Sequence, residues 1–297
     1  MAKQKVVSGD HLGHVKDERR LLLSLDHPFI VKLFGAFQDR DSVYLLTEVA
    51  VIAAELWSVL YEGTAGYKTG RLPIGHGIFY AACLLDALIF MHGKGIAHRD
   101  LKPENIMVDE KGYVRIVDLG FAKHIPFLVH VWGKTEIHPK SYTICGTPEY
   151  LAPELIVNSG HTKAADIWAF GVVIYELTAG HTPFQVGMYG LEEHAALSTC
   201  CCSDFDQKTA AHPTRDLIHK LLRWEPGQRL GKLQADMDAI RRHAHFADTD
   251  WAALADAALA APWVPPAGGA RRADKVDKGA HRKVPPFTGK QSAFADW

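Results

Sequence analysis

His98-Arg99-Asp100-Leu101-Lys102-Pro103-Glu104-Asn105, followed further on by Asp118-Leu119-Gly120, is the stretch on which the reading of this chain turns. Between them, Ile106-Met107-Val108 and Val114-Arg115-Ile116-Val117 flank the turn Asp109-Glu110-Lys111-Gly112. Short β-type runs about an Asp/Gly turn predict a hairpin. The hairpin folds the chain back, so the loop holding Asp100 and Asn105 meets Asp118. Two carboxylates, an amide oxygen and the Lys102 ammonium then share one mouth. Hard oxygen donors of this kind suit Mg²⁺ carrying phosphates, because that ion keeps several waters and takes few protein ligands. A carboxylate beside it can accept a hydroxyl proton, and a cation can hold a charged transferring group. Singly, each Asp would be a cap or a solvated charge, and Asp118-Leu119-Gly120 a turn. The ordered combination carries the signal.

Outward from this stretch the pattern is mostly helical. Apolar residues lie all round the segment from Ile167 to Ala179, which predicts a buried helix stopped by Gly180. Ile78 to His92 is a second apolar helix, closed by Gly93 and Gly95. Further amphipathic helices are expected from Pro213 to Trp224 and from Asp236 to His243. Toward the N-terminus, Leu12, Val15, Leu22 and Leu25 recur at helical spacing, and His27-Pro28 ends that helix. Two β-type runs follow, Val31 to Phe37 and Val43 to Glu48, joined by the polar turn 39–42. After Pro262 the repeated Pro, Gly and Arg pairs mark an extended tail.

The 297 residues are 47% hydrophobic, enough for a large core. The 33 basic and 34 acidic residues leave a formal charge of -1, so no nucleic-acid partner is expected. The five cysteines form no C-x-x-C pair, which argues against a secreted disulfide framework. The run Cys200-Cys201-Cys202 lies near His194 and His212. Adjacent residues diverge too much to share one ion, so reduced thiols are the better reading. No uninterrupted apolar run suggests a membrane span and no signal segment is evident, which predicts a soluble, intracellular, cytoplasmic protein.

The H-R-D-L-K-P-E-N stretch, with Asp118-Leu119-Gly120 and Ala152-Pro153-Glu154, resembles the signature set of Ser/Thr protein kinases. Tyr142 to Glu154 is similar to the activation segment of AGC kinases. Glu55 to Leu60 and Val117 to Lys123 look most like cyclic-GMP-dependent protein kinases, with cyclic-AMP-dependent catalytic subunits a close second. The resemblance implies an α+β, protein kinase-like two-lobe fold, with a truncated N-terminal β lobe and a complete, mainly helical C-terminal lobe. It divides the chain into a partial N-lobe (1–50), a C-lobe (51–261) and a tail (262–297).

It further implies ATP and Mg²⁺ as cofactors, with Asp100 as base, Lys102 beside the transferring phosphoryl group, and Asn105 and Asp118 as metal ligands. Thr47, Glu48 and Ala50 would line the adenine edge, with Thr47 at the gatekeeper position, and Phe294 would fold back over the nucleotide. Thr143 would be phosphorylated and would recruit Arg99. Thr147 would touch the machinery near Asp100, Glu154 would pair with Arg229, and Asp166 would anchor the catalytic loop. Glu55, Glu104 and Glu176 would grip arginines or lysines N-terminal to a target Ser or Thr, since Arg forks pair bidentately with carboxylates. Outside that context these glutamates would read as a solvated helix face. A cyclic-nucleotide-binding regulatory domain, upstream or in trans, is an open partner.

Departures exist. No G-x-G-x-x-G and no V-A-x-K precede Glu18, the residue matching the helix Glu that such a Lys would pair. Lys3 and Lys5 lie too close to Glu18 to replace that Lys easily. Strands near Val31 and Val43 are expected to lack neighbours. Leu119 stands where Phe is usual. The long segment from His124 to Tyr142 carries His124, His130 and His138, and reads as an insert rather than a metal site. The expectation is a basophilic kinase whose front end lies outside these residues. The alternative is a catalytically impaired binding or scaffold module.

Overall fold

Ile74–Gly93 (α4) and Ala164–Ala179 (α6) carry so much apolar surface that only a core position satisfies them. Every residue of α6 from Ala164 to Thr178 is buried, as its apolar circumference predicts. The helix stops at Gly180, whose φ of 86° is left-handed and suits a residue without Cβ. In this computed structural model the described residues are 1–9, 11–48, 52–63, 70–125, 140–143, 145–184, 212–232, 237–266 and 286–297. Ala50, His130, His138, His194, Cys200 to Cys202 and most of the expected tail lie outside them.

α4 begins one turn earlier than its apolar pattern indicates, directly after Pro73. Its first turn, Ile74-Gly75-His76-Gly77, contains two glycines that mask the periodicity. By length and composition α4 could cross a membrane, which corrects the sequence reading, but it is packed as a core helix, with Tyr80 to Leu88 buried throughout. Around α4 and α6 stand Leu56–Tyr61 (α3), Pro153–Ile156 (α5), Pro213–Leu221 (α7), Met237–Arg241 (α8) and Trp251–Ala255 (α9). α7 packs on α6 at Gly171, where an added Cβ would lie 2.9 Å from Leu222 Cδ2.

The N-terminal part is thinner. Lys3–Ser8 (α1) was not foreseen; Leu12–Ser24 (α2) matches its predicted span closely. Leu33–Gln38 (β1) and Val43–Thr47 (β2) form a two-stranded antiparallel sheet with Ala36 opposite Leu45 and Phe37 opposite Tyr44. Phe34, Phe37, Tyr44 and Leu46 remain exposed on it, in keeping with strands short of neighbours.

Ile52–Glu55 (β3), Ile106–Asp109 (β5) and Val114–Ile116 (β6) make a second sheet in the order β3-β5-β6. The predicted hairpin is β5-β6, with Ile106 opposite Ile116. Asp109 Oδ1 accepts from the Lys111 and Tyr113 N–H groups, fixing its turn. The two-residue strands Ile96–Ala97 (β4) and Lys123–His124 (β7) pair beside it. The N-terminal part is joined to this body through Phe29 to Val31: Ile116 N donates to Phe29 O at 2.9 Å and Val31 N to Ile116 O at 2.8 Å.

Candidate active site

The loop from His98 to Asn105 is held by a buried carboxylate beneath it. Asp166, in the first turn of α6, accepts from His98 N (2.8 Å) and Arg99 N (2.8 Å), and His92 Nε2 lies 2.7 Å from it. Burial alone would raise the Asp166 pKa; the contacts with His92 and the loop N–H groups outweigh it and hold the carboxyl below its usual range. Arg99 adopts φ 70°, a strained position for a side-chain-bearing residue. Gly146 packs against this turn; an added Cβ there would meet Arg99 O at 2.9 Å.

Above this anchor the loop residues converge. Asp100 Oδ2 accepts from Asn105 Nδ2 at 2.9 Å and pairs with Lys102 Nζ at 2.9 Å. Asp100 Oδ1 accepts from Thr147 Oγ1 at 3.0 Å, and Lys102 Nζ donates to Thr147 Oγ1 at 2.5 Å. Asp100 is 5% exposed, so a charge this buried demands such partners. Val117 N donates to Asn105 O at 3.1 Å, and Asp118 follows directly, so the hairpin returns the chain as predicted. His98, buried below, lies in the field of Asp166, Asp100 and Asp118 together; burial nevertheless keeps its pKa low. Asp118 Oδ1 accepts from Gly120 N at 2.8 Å.

The donor chemistry fits a divalent cation. Asn105 spends its Nδ2 on Asp100, which leaves its amide oxygen without a hydrogen bond among the described residues. Asp118 is exposed and keeps Oδ2 in the same condition. A buried amide oxygen and an exposed carboxylate oxygen suit Mg²⁺, which keeps several waters and takes few protein ligands.

Glu18 projects from α2 toward Asp118, and no cation pairs with it among the described residues. Burial, with the Asp118 charge adding to it, pushes its pKa up to about 7. Lys3 is no substitute. It is 1% exposed and donates to Gln38 Oε1, Asp39 O and Gln291 Oε1 at 2.7–2.9 Å. Phe294 is a correction. Its ring is fully buried in a small cluster with Val6, Val15, Val43 and Phe287, and Lys3 Nζ lies 5.0 Å from its centre. That ring has no face left for a nucleotide. Burial of Phe287 and Phe294 wins because the β1-β2 region has little other apolar cover.

Thr47 closes β2 opposite Leu33. The Glu48 carboxylate is occupied by Arg115 at 2.8 Å. Glu154 and Arg229 form the expected bridge: two nitrogens of the fork donate to the two carboxylate oxygens at 2.7 and 2.6 Å. The remaining guanidinium donors reach the carbonyls of Arg223, Ala164 and Trp224. The fork also lies 5.2 Å from the Trp168 ring, so this buried charge is fully satisfied.

Thr143 is exposed, while Arg99 and Lys123 both donate to nearby Ser141 Oγ at 3.3 Å. Glu55 and Glu104 are exposed, but Glu176 is only 2% exposed. Its two oxygens accept from Tyr61 (2.5 Å) and Tyr150 (2.6 Å). Burial raises its pKa to about 7, with the charges of Glu104 and Glu149 adding to it. Glu149 and Tyr150 fall within the stretch Tyr142 to Glu154 without being singled out there, and no periodic signal marks Tyr61.

Residues 1–246 match the protein kinase domain family. The chain is 38% identical over 261 residues to human cGMP-dependent protein kinase 2, covering 88% of this chain and 32% of that protein. It is 35% identical over 267 residues to cAMP-dependent protein kinase type 3 of Saccharomyces cerevisiae, covering 90% and 61%. Against the cAMP-dependent protein kinase catalytic subunit of Arthrobotrys oligospora it is 33% identical over 280 residues, covering 94% and 50%. The chain therefore spans from about a third to three fifths of the length of these curated relatives. With the loop, hairpin and buried bridge assembled on a helical body, these matches establish that the chain belongs to the protein kinase domain family, with relatives consistent with the AGC group.

Proposed function

We propose that this domain transfers the γ-phosphoryl group of ATP to Ser or Thr hydroxyls in proteins bearing Arg or Lys N-terminal to the target. The observation that carries the reading is the Asp100 carboxylate, fixed by Lys102, Asn105 and Thr147, with the hairpin returning the chain to Asn105 one residue before Asp118. Asn105 and Asp118 would hold Mg²⁺, which when bound would supply positive charge to the phosphates. Asp100 accepts the proton of the incoming hydroxyl, and Lys102 steadies the negative charge that moves between oxygens. Asp166 and Arg99 hold the loop still while this happens. Thr47 and Glu48, with Ala50, sit by sequence at the edge taken by the adenine.

Glu55 and Glu104 supply exposed acceptors for substrate cations, and Glu176, close to Glu104, is held in place by two tyrosines. Thr143 is the phosphorylation site of this reading, supported by its exposure and by the Arg99 and Lys123 cations gathered close by. Division at residues 50 and 261, a cyclic-nucleotide-binding regulatory partner and a cytoplasmic setting belong to the same reading. Unpaired Cys83 and Cys145 are compatible with a reducing compartment. Retention of Asp100, Lys102, Asn105 and Asp118 together weighs against a purely non-catalytic binding module.

The test is transfer of labelled γ-phosphate to an Arg-rich Ser peptide. Activity that needs Mg²⁺ and disappears in Asp100→Ala supports the reading. Peptide binding without any transfer, in protein that melts normally, contradicts it.

A further inference from the structure

Two arginines of this chain are held in the same way. Arg229 gives its fork to the Glu154 carboxylate and lies 5.2 Å from the Trp168 ring. Arg241 pairs with Asp86 and lies 5.0 Å from the Trp251 ring. In each, a carboxylate takes the N–H donors while an aromatic ring receives the flat, weakly hydrated cation. A third place in the molecule has the carboxylates and the rings but, among the described residues, no arginine.

It lies on the outer side of α3, whose Leu56, Ser58, Val59 and Leu60 are buried. Trp57 and Tyr61, four residues apart, share one helix face, with ring centres 5.4 Å apart and planes inclined at 41°. They are 37% and 40% exposed, and neither packs into a hydrophobic core cluster. The Tyr61 hydroxyl is occupied by Glu176 Oε1 at 2.5 Å, which leaves the ring as the part open to a ligand. Burial, with the charges of Glu176, Glu149 and Glu104 adding to it, raises the Tyr61 pKa, so the ring stays neutral. Tyr61 is thus an uncharged aromatic face in the field of three carboxylates.

Those carboxylates are short of positive charge. Glu176 accepts from the hydroxyls of Tyr61 and Tyr150, and one oxygen of Glu149 accepts from Thr182 Oγ1 at 3.0 Å. No lysine or arginine pairs with Glu104, Glu149 or Glu176 among the described residues. Like charges gathered round one ring repel until a cation joins them. A lysine ammonium would answer the charge alone, as a compact and strongly hydrated point. A guanidinium can stack on the ring and still offer its edge donors to a carboxylate.

We propose that Tyr61, backed by Trp57, is a specificity-determining wall of the substrate groove. The guanidinium of a substrate arginine lies flat against the Tyr61 ring while its N–H edge donates to exposed Glu104. Lysine cannot do both and is disfavoured. This deepens the reading of Glu104 as an acceptor for substrate cations and rests on it, but not on the transfer step.

The experiment therefore measures binding apart from transfer. Two dye-labelled peptides carry Ala in place of the target Ser and differ only in having Arg or Lys at their basic positions. By fluorescence anisotropy with the full 297-residue chain, the Arg peptide should bind about tenfold more tightly than the Lys peptide. Tyr61→Leu should cut that ratio by about two- to fivefold, the loss falling on the Arg peptide. Tyr61→Phe, which keeps the ring and gives up the hydroxyl, should retain the ratio. Trp57→Leu leaves the bond from Tyr61 to Glu176 in place and should lower the ratio too, so a ring-removing variant is at hand even where Tyr61→Leu fails to fold.

Equal affinity for the two peptides overturns the proposal, as does an unchanged ratio in either ring-removing variant. Equal losses in Tyr61→Phe and Tyr61→Leu also overturn it, because the preference would then lie in the hydroxyl bond to Glu176. Failure of both peptides to bind overturns it together with the reading of Glu104. Ring-dependent preference for the Arg peptide, in protein that transfers no phosphate to the Ser form, upholds the proposal and counts against phosphoryl transfer alone.

Discussion

Asp166 and Glu18 are both carboxylates drawn out of water near the same loop, and they fare in opposite ways. Asp166 sits at the start of a fully buried helix, meets two loop N–H groups and a histidine, and keeps its pKa low. Glu18 projects from the thin N-terminal part, faces another carboxylate, and is pushed up to about 7. In the helical body Asp166 and Glu154 meet donors and Glu176 meets two tyrosines; the N-terminal part leaves Glu18 on α2 facing a carboxylate and several apolar side chains of β1 and β2 exposed. A loop can thus have its buried carboxylate fully paired in one part of the molecule while a carboxylate in the neighbouring part stays raised in pKa.

The sharpest way to break this comparison is Asp100→Ala. If Asp100 takes the substrate proton, peptide phosphorylation should fall by about 10²–10⁴ under conditions where the variant is still folded, although Lys102, Asn105 and Thr147 lose an acceptor and the melting temperature drops. If the folded variant keeps its activity, Asp100 is a structural charge like Asp166. Next in size, Arg229→Ala strands Glu154 in the core and should cost about 3–5 kcal/mol in chemical denaturation. Lys3→Met should remove about 1–3 kcal/mol by orphaning three acceptors, and hydrogen exchange should rise in 286–297 but not in α6.

Glu18→Gln is the smallest change and has the opposite sign. The folded value of about 7 lies above the ordinary 4.5, so the native state holds extra proton between those values. The contribution of Glu18 to stability is full below about pH 4.5 and is lost as pH rises through 7. Glu18→Gln without nucleotide should therefore stabilise the protein at pH 8 by roughly 1 kcal/mol after solvent screening, and not at pH 4. Asp166 runs the other way: its depressed pKa supplies stability near neutrality that is lost as pH falls through its folded value.

Much of the helical body was legible in the sequence because long apolar patterns leave few alternatives: the α6 circumference, Gly180 and the Asp109 turn each stand as read. The juxtaposition of Asn105 and Asp118 followed from the hairpin alone. α1 escaped because a six-residue polar segment has no periodicity to read. β3 escaped because four residues running into α3 look like part of the helix. Phe294 was misplaced since an aromatic in a Pro/Gly-rich tail says that it will be buried, not where. Glu176 was expected at the substrate surface, but its burial depends on Tyr61, 115 residues away in sequence. Long-range satisfaction of a polar group leaves no local pattern.

Phosphoryl transfer by this domain requires that the Asn105 and Asp118 oxygens hold metal-bound nucleotide. Calorimetric titration of ATP with Mg²⁺, and again with EDTA, compares the wild-type chain with Asp118→Ala. Binding that requires the ion and is lost in the variant is the predicted result. Absence of ion-dependent binding, or equal binding by a folded Asp118→Ala protein, would contradict it.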